Sequence, residues 1–169
     1  MRLYNFQGEN VKITVRNFFV GVFFFILVFF VQLLGSLATD QNLYSWYKTL
    51  DLPFFTPPRW VFAPVWTVLY ISIALSGFLF WRKQTSIRRT LTMLFWGGQL
   101  FFNALWSFTF FYFMQPLYGA IDIFITIFFV TGTIVFGSKV SKTGTYMLIP
   151  YLLWLCYAAA INVAIVNLN

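Results

Sequence analysis

The side chains of this sequence that could do chemistry are polar and aromatic groups set inside long apolar runs. Asp122 is the only carboxylate within those runs. A carboxylate is costly inside a membrane unless it is protonated or hydrogen-bonded. We therefore expect Asp122 to face the protein interior, with an indole, Asn103, Gln99 or a tyrosine hydroxyl as donor. Its role stays open between a ligand or proton contact and a structural hydrogen bond between helices.

Helical spacing gathers these polar groups with aromatic rings. Residues at i, i+4, i+7 and i+11 lie on one side of a helix. Four such sides are predicted to point into a bundle: Trp66, Tyr70, Ile73 and Gly77; Gln99, Asn103, Trp106 and Phe110; Asp122, Thr126, Phe129 and Thr133; and Pro150, Trp154, Ala158 and Ile161, with Asn162 beside them. Flat indoles at a polar-edged cavity suit a flat aromatic ligand, and the same pattern also arises from ordinary packing.

The sequence contains no histidine and a single cysteine, Cys156. This excludes a disulfide within the chain, His-ligated haem iron and catalysis by an imidazole, and we predict no metal site. Cys156 lies in an apolar run, so we interpret it as an inert apolar side chain. No obligatory cofactor is predicted.

The composition indicates a membrane protein. Apolar residues make up 60% of the 169 positions and charged residues only 9%. A helix needs roughly 20 apolar residues to cross the hydrocarbon core, and the sequence has five such runs. We predict one all-α transmembrane domain over residues 1–169, a five-helix bundle in contact with the lipid bilayer, with helices at 18–37, 61–81, 91–113, 117–136 and 146–166.

The basic residues predict the orientation. Nine of them fall before the first run, between the second and third, and between the fourth and fifth: Arg2, Lys12, Arg16, Arg82, Lys83, Arg88, Arg89, Lys139 and Lys142. Lys48 and Arg59 are the two in the remaining connections. The positive-inside rule then places the N-terminus in the cytoplasm and the C-terminus outside, and we expect a multi-pass protein of the bacterial cytoplasmic membrane. The cations are a topology signal, so no nucleic-acid partner is predicted.

Two connections differ sharply in length. Met114, Gln115 and Pro116 alone join the third and fourth runs, which predicts a tight antiparallel hairpin. The connection at 38–60 is too apolar for a solvated linker and too rich in proline to be helical throughout. We expect it to form a structured cover over one end of the bundle, with a short helix within 43–50.

The order of these motifs resembles that of the translocator protein, or tryptophan-rich sensory protein, family (TspO/MBR, the peripheral-type benzodiazepine receptors). The similar positions run through nearly the whole chain: Trp46, Tyr47, Leu50, Pro53, Phe55, Thr56, Pro57, Pro58, Val61, Phe62, Pro64, Trp66, Leu69, Tyr70, Asn103, Trp106, Ser107, Phe110, Phe111, Asp122, Leu148, Ile149, Pro150, Tyr151, Trp154, Ala158 and Asn162. Single matches are weak, and their shared order is specific.

The resemblance implies a pocket that opens toward the first long connection and binds porphyrins, haem-related pigments or benzodiazepine-site ligands. By position, its lining carries over to Trp46, Tyr47, Pro57, Phe62, Trp66, Tyr70, Asn103, Trp106, Ser107, Trp154 and Ala158, to which we add Asp122. The resemblance also implies a possible homodimer. Phe102 lies four residues after Gly98, where family dimers have a stripe of small residues, and no Lys or Arg follows the fifth run, which argues against cholesterol handling.

Three functions follow as hypotheses. The first is a binding protein for tetrapyrroles and similar hydrophobic ligands that serves sensing or transport. The second is an enzyme that degrades porphyrin in the light, for which the family's implicated tryptophans correspond to Trp66 and Trp154. The third is a regulatory membrane subunit without a ligand.

Overall fold

The computed structural model describes residues 4–40 and 42–169, and the side chains of that part from residue 14 onward. Arg2 and the side chain of Lys12, which entered the charge count, lie outside it. The described residues form helices α1 (Tyr4–Asp40), α2 (Arg59–Trp81), α3 (Ile87–Ser107), α4 (Pro116–Gly137), α5 (Lys142–Tyr146) and α6 (Ile149–Leu168), and they contain no strand.

Four stretches of these helices are long and apolar enough to cross a membrane. They are Thr14–Asp40 within α1, α2, α4, and Lys142–Leu168, which joins α5 and α6. The helix α3 is not among them, which we attribute to Arg88, Arg89, Gln99 and Asn103, whose polar side chains lower its hydropathy. The chain is therefore an all-helical integral membrane protein, and the crossing by α3 stays a prediction.

Three predicted helices differ clearly in their bounds. The first run, predicted at 18–37, lies within the longer helix α1 (Tyr4–Asp40). The third run continues past α3 as a five-residue π-helix, Phe108–Tyr112, before Met114 takes a positive φ of 55° and α4 begins. The fifth run is broken into α5 and α6, and α6 begins at Ile149 instead of at residue 146. Pro150 explains the break, because its ring would clash with the carbonyl of Tyr146 in one continuous helix, whereas proline is tolerated in a first turn.

The helices pack unevenly around the bundle. The α3 and α4 pair, joined by the predicted short hairpin, makes the most extensive contact, α4 also packs on α6, and α1 packs on α2 and α3. Helices α2 and α6 are not among the closely packed pairs of the described residues. We call the space between them the α2–α6 cleft.

The end of the bundle away from the α1–α2 connection is closely packed. Trp96 of α3 is buried against Phe24 of α1, with ring centroids 5.1 Å apart and an edge-to-face geometry. Gly77 of α2 lies beneath the same indole, where any Cβ would come within 2.5 Å of the ring. Helices α1, α2 and α3 are therefore in van der Waals contact at this level of the bundle.

The predicted interior sides of the helices are largely confirmed. Their buried members are Ile73, Gly77, Gln99, Asn103, Phe110, Asp122, Thr126, Thr133, Ile161 and Asn162. Pro150 is exposed, so its assignment to the interior was wrong. Large exposed phenylalanines on the outer sides, such as Phe19, Phe23 and Phe29 of α1, suit a lipid environment.

The connection between α1 and α2, which we call loop 1, is ordered by contacts with distant helices. Its short 3-10 helix, Trp46–Thr49, confirms the predicted helical turn. The Tyr157 hydroxyl of α6 donates to the Phe55 carbonyl at 2.5 Å, and Asn169 exchanges two hydrogen bonds with the backbone of Asp51, at 2.9 and 3.1 Å. Asn42 also donates to the Phe111 carbonyl of the π-helix at 2.9 Å. The predicted structured cover is thereby confirmed as a loop held by α6 and by the π-helix.

Candidate ligand-binding site

A hydrogen-bond relay joins three helices at the middle of the bundle. The Tyr70 hydroxyl of α2 donates to Asn103 Oδ1 of α3 at 2.9 Å, and Asn103 Nδ2 donates to the Tyr151 hydroxyl of α6 at 3.0 Å. Asn103 and Tyr151 are buried, so one amide satisfies two phenols that would otherwise be isolated from water. This relay crosses the α2–α6 cleft at its base.

Aromatic rings fill the cleft above this relay. Trp66 stacks on Tyr70 with centroids 5.2 Å apart and 29° between planes, and its edge meets Tyr151 at 6.2 Å. The ring centroid of Trp154 lies 5.8 Å from that of Phe62 and 5.7 Å from that of Tyr157. Side chains, rather than close helix backbones, therefore connect α2 with α6.

The cleft opens outward as an apolar groove of about 630 Å³. Its walls come from both helices: Pro64, Val65, Val68, Leu69, Pro150, Leu153, Trp154 and Tyr157. Cavities of this size accommodate drug-sized molecules. The Trp154 indole N–H is buried at this wall and has no hydrogen-bond acceptor among the described residues.

Two further buried groups of the bundle have no hydrogen-bond partner among the described residues. Both amide atoms of Gln99 and both carboxyl oxygens of Asp122 are unpartnered within the described part of the chain, although these residues are 0% and 3% exposed. The prediction that a nearby donor forms a hydrogen bond to the Asp122 carboxyl group is therefore wrong for the described residues. Thr126 donates to the backbone carbonyl of Asp122 instead, at 3.1 Å. Such unpaired groups cost roughly 1–3 kcal/mol each and are candidates to bind a polar atom of a ligand.

Loop 1 closes a second aromatic cluster beside the cleft. Trp46 and Tyr47 contact Phe110 at 5.7 and 6.2 Å, and Phe110 stacks on Trp106 at 5.3 Å. The Trp106 N–H donates to Asn162 Oδ1 at 3.3 Å. Burial raises the pKa of the Tyr47 phenol, and the nearby Arg59 guanidinium partly opposes that rise. Tyr47 therefore stays neutral at physiological pH.

The remaining predicted residues fall outside the cleft or at its margin. Ser107 is buried at the α1–α3 contact, where its hydroxyl lies 3.2 Å from the Cβ position of Gly35. Ala158 packs half-buried against the main core. Pro57 lies half-buried in loop 1. The structure thus brings Phe62, Trp66, Tyr70, Asn103 and Trp154 together and gathers Trp46, Tyr47 and Trp106 in the neighbouring cluster.

Tyr151 and Tyr157 take part in the site but were absent from the predicted lining. Tyr151 precedes Trp154 by three residues and Ala158 by seven, so helical spacing alone could have placed it on the same side of α6. Tyr157 follows Trp154 by three residues, so the same spacing places it beside Trp154, whereas its hydrogen bond depends on where loop 1 folds back.

A second apolar groove, of about 590 Å³, lies between α4 and α6 on another side of the bundle. Its lining combines Phe124 and Ile127 with small residues of α6, and it includes Cys156. The Cys156 thiol is exposed on this outer surface and is not paired.

The chain is similar to known proteins over most of its length. The profile of the TspO/MBR family matches residues 23–168. The chain is similar to the tryptophan-rich protein TspO of Archaeoglobus fulgidus, at 39% identity over 80% of this chain and 87% of that protein. It is also similar at 29% identity to the translocator protein of Bos taurus, over 76% and 78% of the two chains, and to the tryptophan-rich sensory protein of Cereibacter sphaeroides, over 83% and 89%.

Proposed function

We propose, because this chain belongs to the TspO/MBR family, that it is a membrane-embedded binding protein for porphyrin- and haem-type tetrapyrroles and similar flat hydrophobic molecules. Relatives named as sensory and translocator proteins support a membrane sensory or transport role. The observation that carries the ligand class is the α2–α6 cleft, where aromatic rings replace close helix packing and the Trp154 N–H is buried with no acceptor in the described part of the chain.

The chemistry of the cleft suits a flat ligand with a few polar atoms. Trp66 and Trp154 offer ring faces and edges for stacking, which favours planar aromatic molecules over aliphatic ones. The Trp154 N–H can donate to a ring nitrogen or carbonyl of a ligand. Binding would thus pair a donor that has no acceptor among the described residues.

The proposed arrangement in the membrane has five crossings, with α3 as the additional one. Arg16 of α1 and Arg89 of α3 both lie over the Trp81 ring at the end of α2, at 6.0 and 5.8 Å, which gathers basic residues at one end of the bundle. Lys48 and Arg59 lie at loop 1. By the positive-inside rule, the Trp81 end faces the cytoplasm and loop 1 faces outward.

A titration of protoporphyrin IX, followed by quenching of tryptophan fluorescence in lipid nanodiscs, tests the proposal. Trp66→Phe and Trp154→Phe should each weaken binding by about two- to tenfold, the range for losing one aromatic pairing. Trp81→Phe, which lies at the other end of α2, is the matched control and should bind as wild type does. Equal affinity in all four proteins would contradict a role for the cleft.

A further inference from the structure

We propose that Arg59 makes the site selective for ligands that carry carboxylates, by holding the acidic edge of a bound tetrapyrrole at the loop-1 end of the cleft. The inference rests on the proposed function and adds to it an orientation and a basis for discrimination.

Arg59 lies on the side of α2 that lines the cleft. Phe62 follows it by three residues, Trp66 by seven and Tyr70 by eleven, so all four side chains leave the helix in nearly one direction. From the loop-1 end inward, this side carries the cation of Arg59, then two aromatic rings, and then the phenol of Tyr70, which is hydrogen-bonded to Asn103. A flat ligand along these rings would have one edge at Arg59.

The guanidinium is positioned but still able to bind an anion. Its central carbon lies over the rings of both Tyr44 and Tyr47, 5.9 Å from each ring centroid, so two aromatic rings of loop 1 flank it. Cation–π contacts of this kind use no N–H group, so the N–H groups of the guanidinium stay available to a carboxylate. The contacts of Arg59 within the described residues are with these rings.

The interior cannot hold a charged edge of the ligand. The groups that the structure places within the cleft are neutral, and Asp122 is the one buried carboxylate near it, interacting electrostatically with Tyr151. An anion pushed toward that end would lose its hydration and meet no cation, which is strongly unfavourable. The acidic edge is therefore expected outside, where Arg59 is exposed to water.

Other charged groups at this end must be counted as well. Lys48 lies 5.6 Å from the Tyr44 ring and adds a second cation close to the first. The carboxylates of this end are Asp40, at the end of α1, and Asp51, whose backbone is tied to Asn169 of α6. Arg59 is distinguished from all of these by its position on the ring-bearing side of α2.

The test compares protoporphyrin IX, a dicarboxylic acid, with its uncharged dimethyl ester in nanodiscs of zwitterionic lipid. Wild type should bind the acid more tightly than the ester. Arg59→Gln should weaken binding of the acid by about fivefold, the upper range for one exposed ion pair, and leave the ester unchanged. Arg59→Lys should retain part of the preference. Lys83→Gln, a cation at the opposite end of α2, is the matched control and should behave as wild type.

The two outcomes that matter are separable. An acid-to-ester affinity ratio that is the same in wild type and Arg59→Gln would overturn this inference and leave the proposed function intact. Failure of wild type to bind either porphyrin would overturn both. Binding of the ester by Arg59→Gln reports that the variant is folded, so a selective loss of acid binding cannot come from misfolding.

Discussion

Trp96 and Trp154 are the same residue type in two very different halves of the bundle. Trp96 is 2% exposed, and its N–H is shared at 3.1 Å between the Ile73 carbonyl and the Ser76 hydroxyl. Trp154 is half-buried at the α2–α6 cleft, and its N–H has no acceptor among the described residues. The first indole is fully used by the protein, and the second retains an unused donor.

The residues around the two tryptophans differ in the same way, with close packing around Trp96 and an open gap beside Trp154. Around Trp96, a glycine of α2 and a phenylalanine ring of α1 allow three helices to meet closely. Around Trp154, α2 and α6 stay apart and prolines line the gap. We infer that the end distal to loop 1 supplies stability, whereas the loop-1 end gives up packing for a place to bind. A tryptophan in a membrane helix is thus evidence of binding only when its polar atom is unpaired.

The largest expected effect is on the closely packed half. In Gly77→Ala, the new methyl group would lie 2.5–2.8 Å from Trp96 and Phe24, and Trp96 cannot move without losing two hydrogen bonds. We expect the free energy of unfolding to fall by about 1–3 kcal/mol, measured by reversible unfolding in mixed micelles. Gly97→Ala is the control, since open space surrounds Gly97. Equal effects of the two substitutions would break the comparison.

A smaller effect separates two polar residues one helical turn apart on α3. Asn103→Leu removes the relay and leaves the Tyr70 and Tyr151 hydroxyls without their shared amide, so unfolding should become easier by about 1–2 kcal/mol. Gln99→Leu removes an amide that makes no hydrogen bond to any described residue, and should be neutral or stabilising. The same unfolding assay compares them. Destabilisation by Gln99→Leu as large as that by Asn103→Leu would show that Gln99 is paired in the membrane.

The smallest effect concerns loop 1. Tyr157→Phe deletes the hydrogen bond to the Phe55 carbonyl, and we expect a cost of about 1 kcal/mol, confined to the loop. Hydrogen exchange of the amides in residues 46–56 should become about fivefold faster, while exchange in α3 stays the same. Tyr118→Phe, on an exposed side of α4, is the control. Unchanged exchange in the loop would mean that other contacts hold the cover.

Periodicity in the sequence predicted which side of each helix is buried, and the order of α3, its short connection and α4. These features depend on spacing along single helices, which a sequence displays directly. The grouping of Phe62, Trp66, Tyr70, Asn103 and Trp154 in one site was implied by the family resemblance and not by spacing. The sequence also indicates the break before α6, because the ring of Pro150 clashes with the preceding turn of a continuous helix.

The partners of the buried groups could not be predicted in the same way. Ser107 faces Gly35 of α1 instead of the cleft, and Asp122 lacks the donor that its chemistry led us to expect. Helical spacing tells in which direction a side chain leaves its own helix, but not which residue of another helix it contacts. That contact depends on which helices pack closely, as at Gly77 and Trp96. Close packing in turn depends on how well the side-chain volumes fit together.

The hydrogen bonds that Tyr157 of α6 and Asn169 form with loop 1 also set the order in which parts of the protein can fold during synthesis. They join residues 102 and 118 positions apart, so loop 1 has left the ribosome long before its anchors exist. A nascent chain that has released only α1 to α4 has no wall opposite α2, and Trp66 would then face acyl chains. The cleft therefore takes shape only after insertion of the last helix. Until then loop 1 lacks its bonds to Tyr157 and Asn169 and has only its contacts with the π-helix after α3, such as the hydrogen bond from Asn42 to the Phe111 carbonyl.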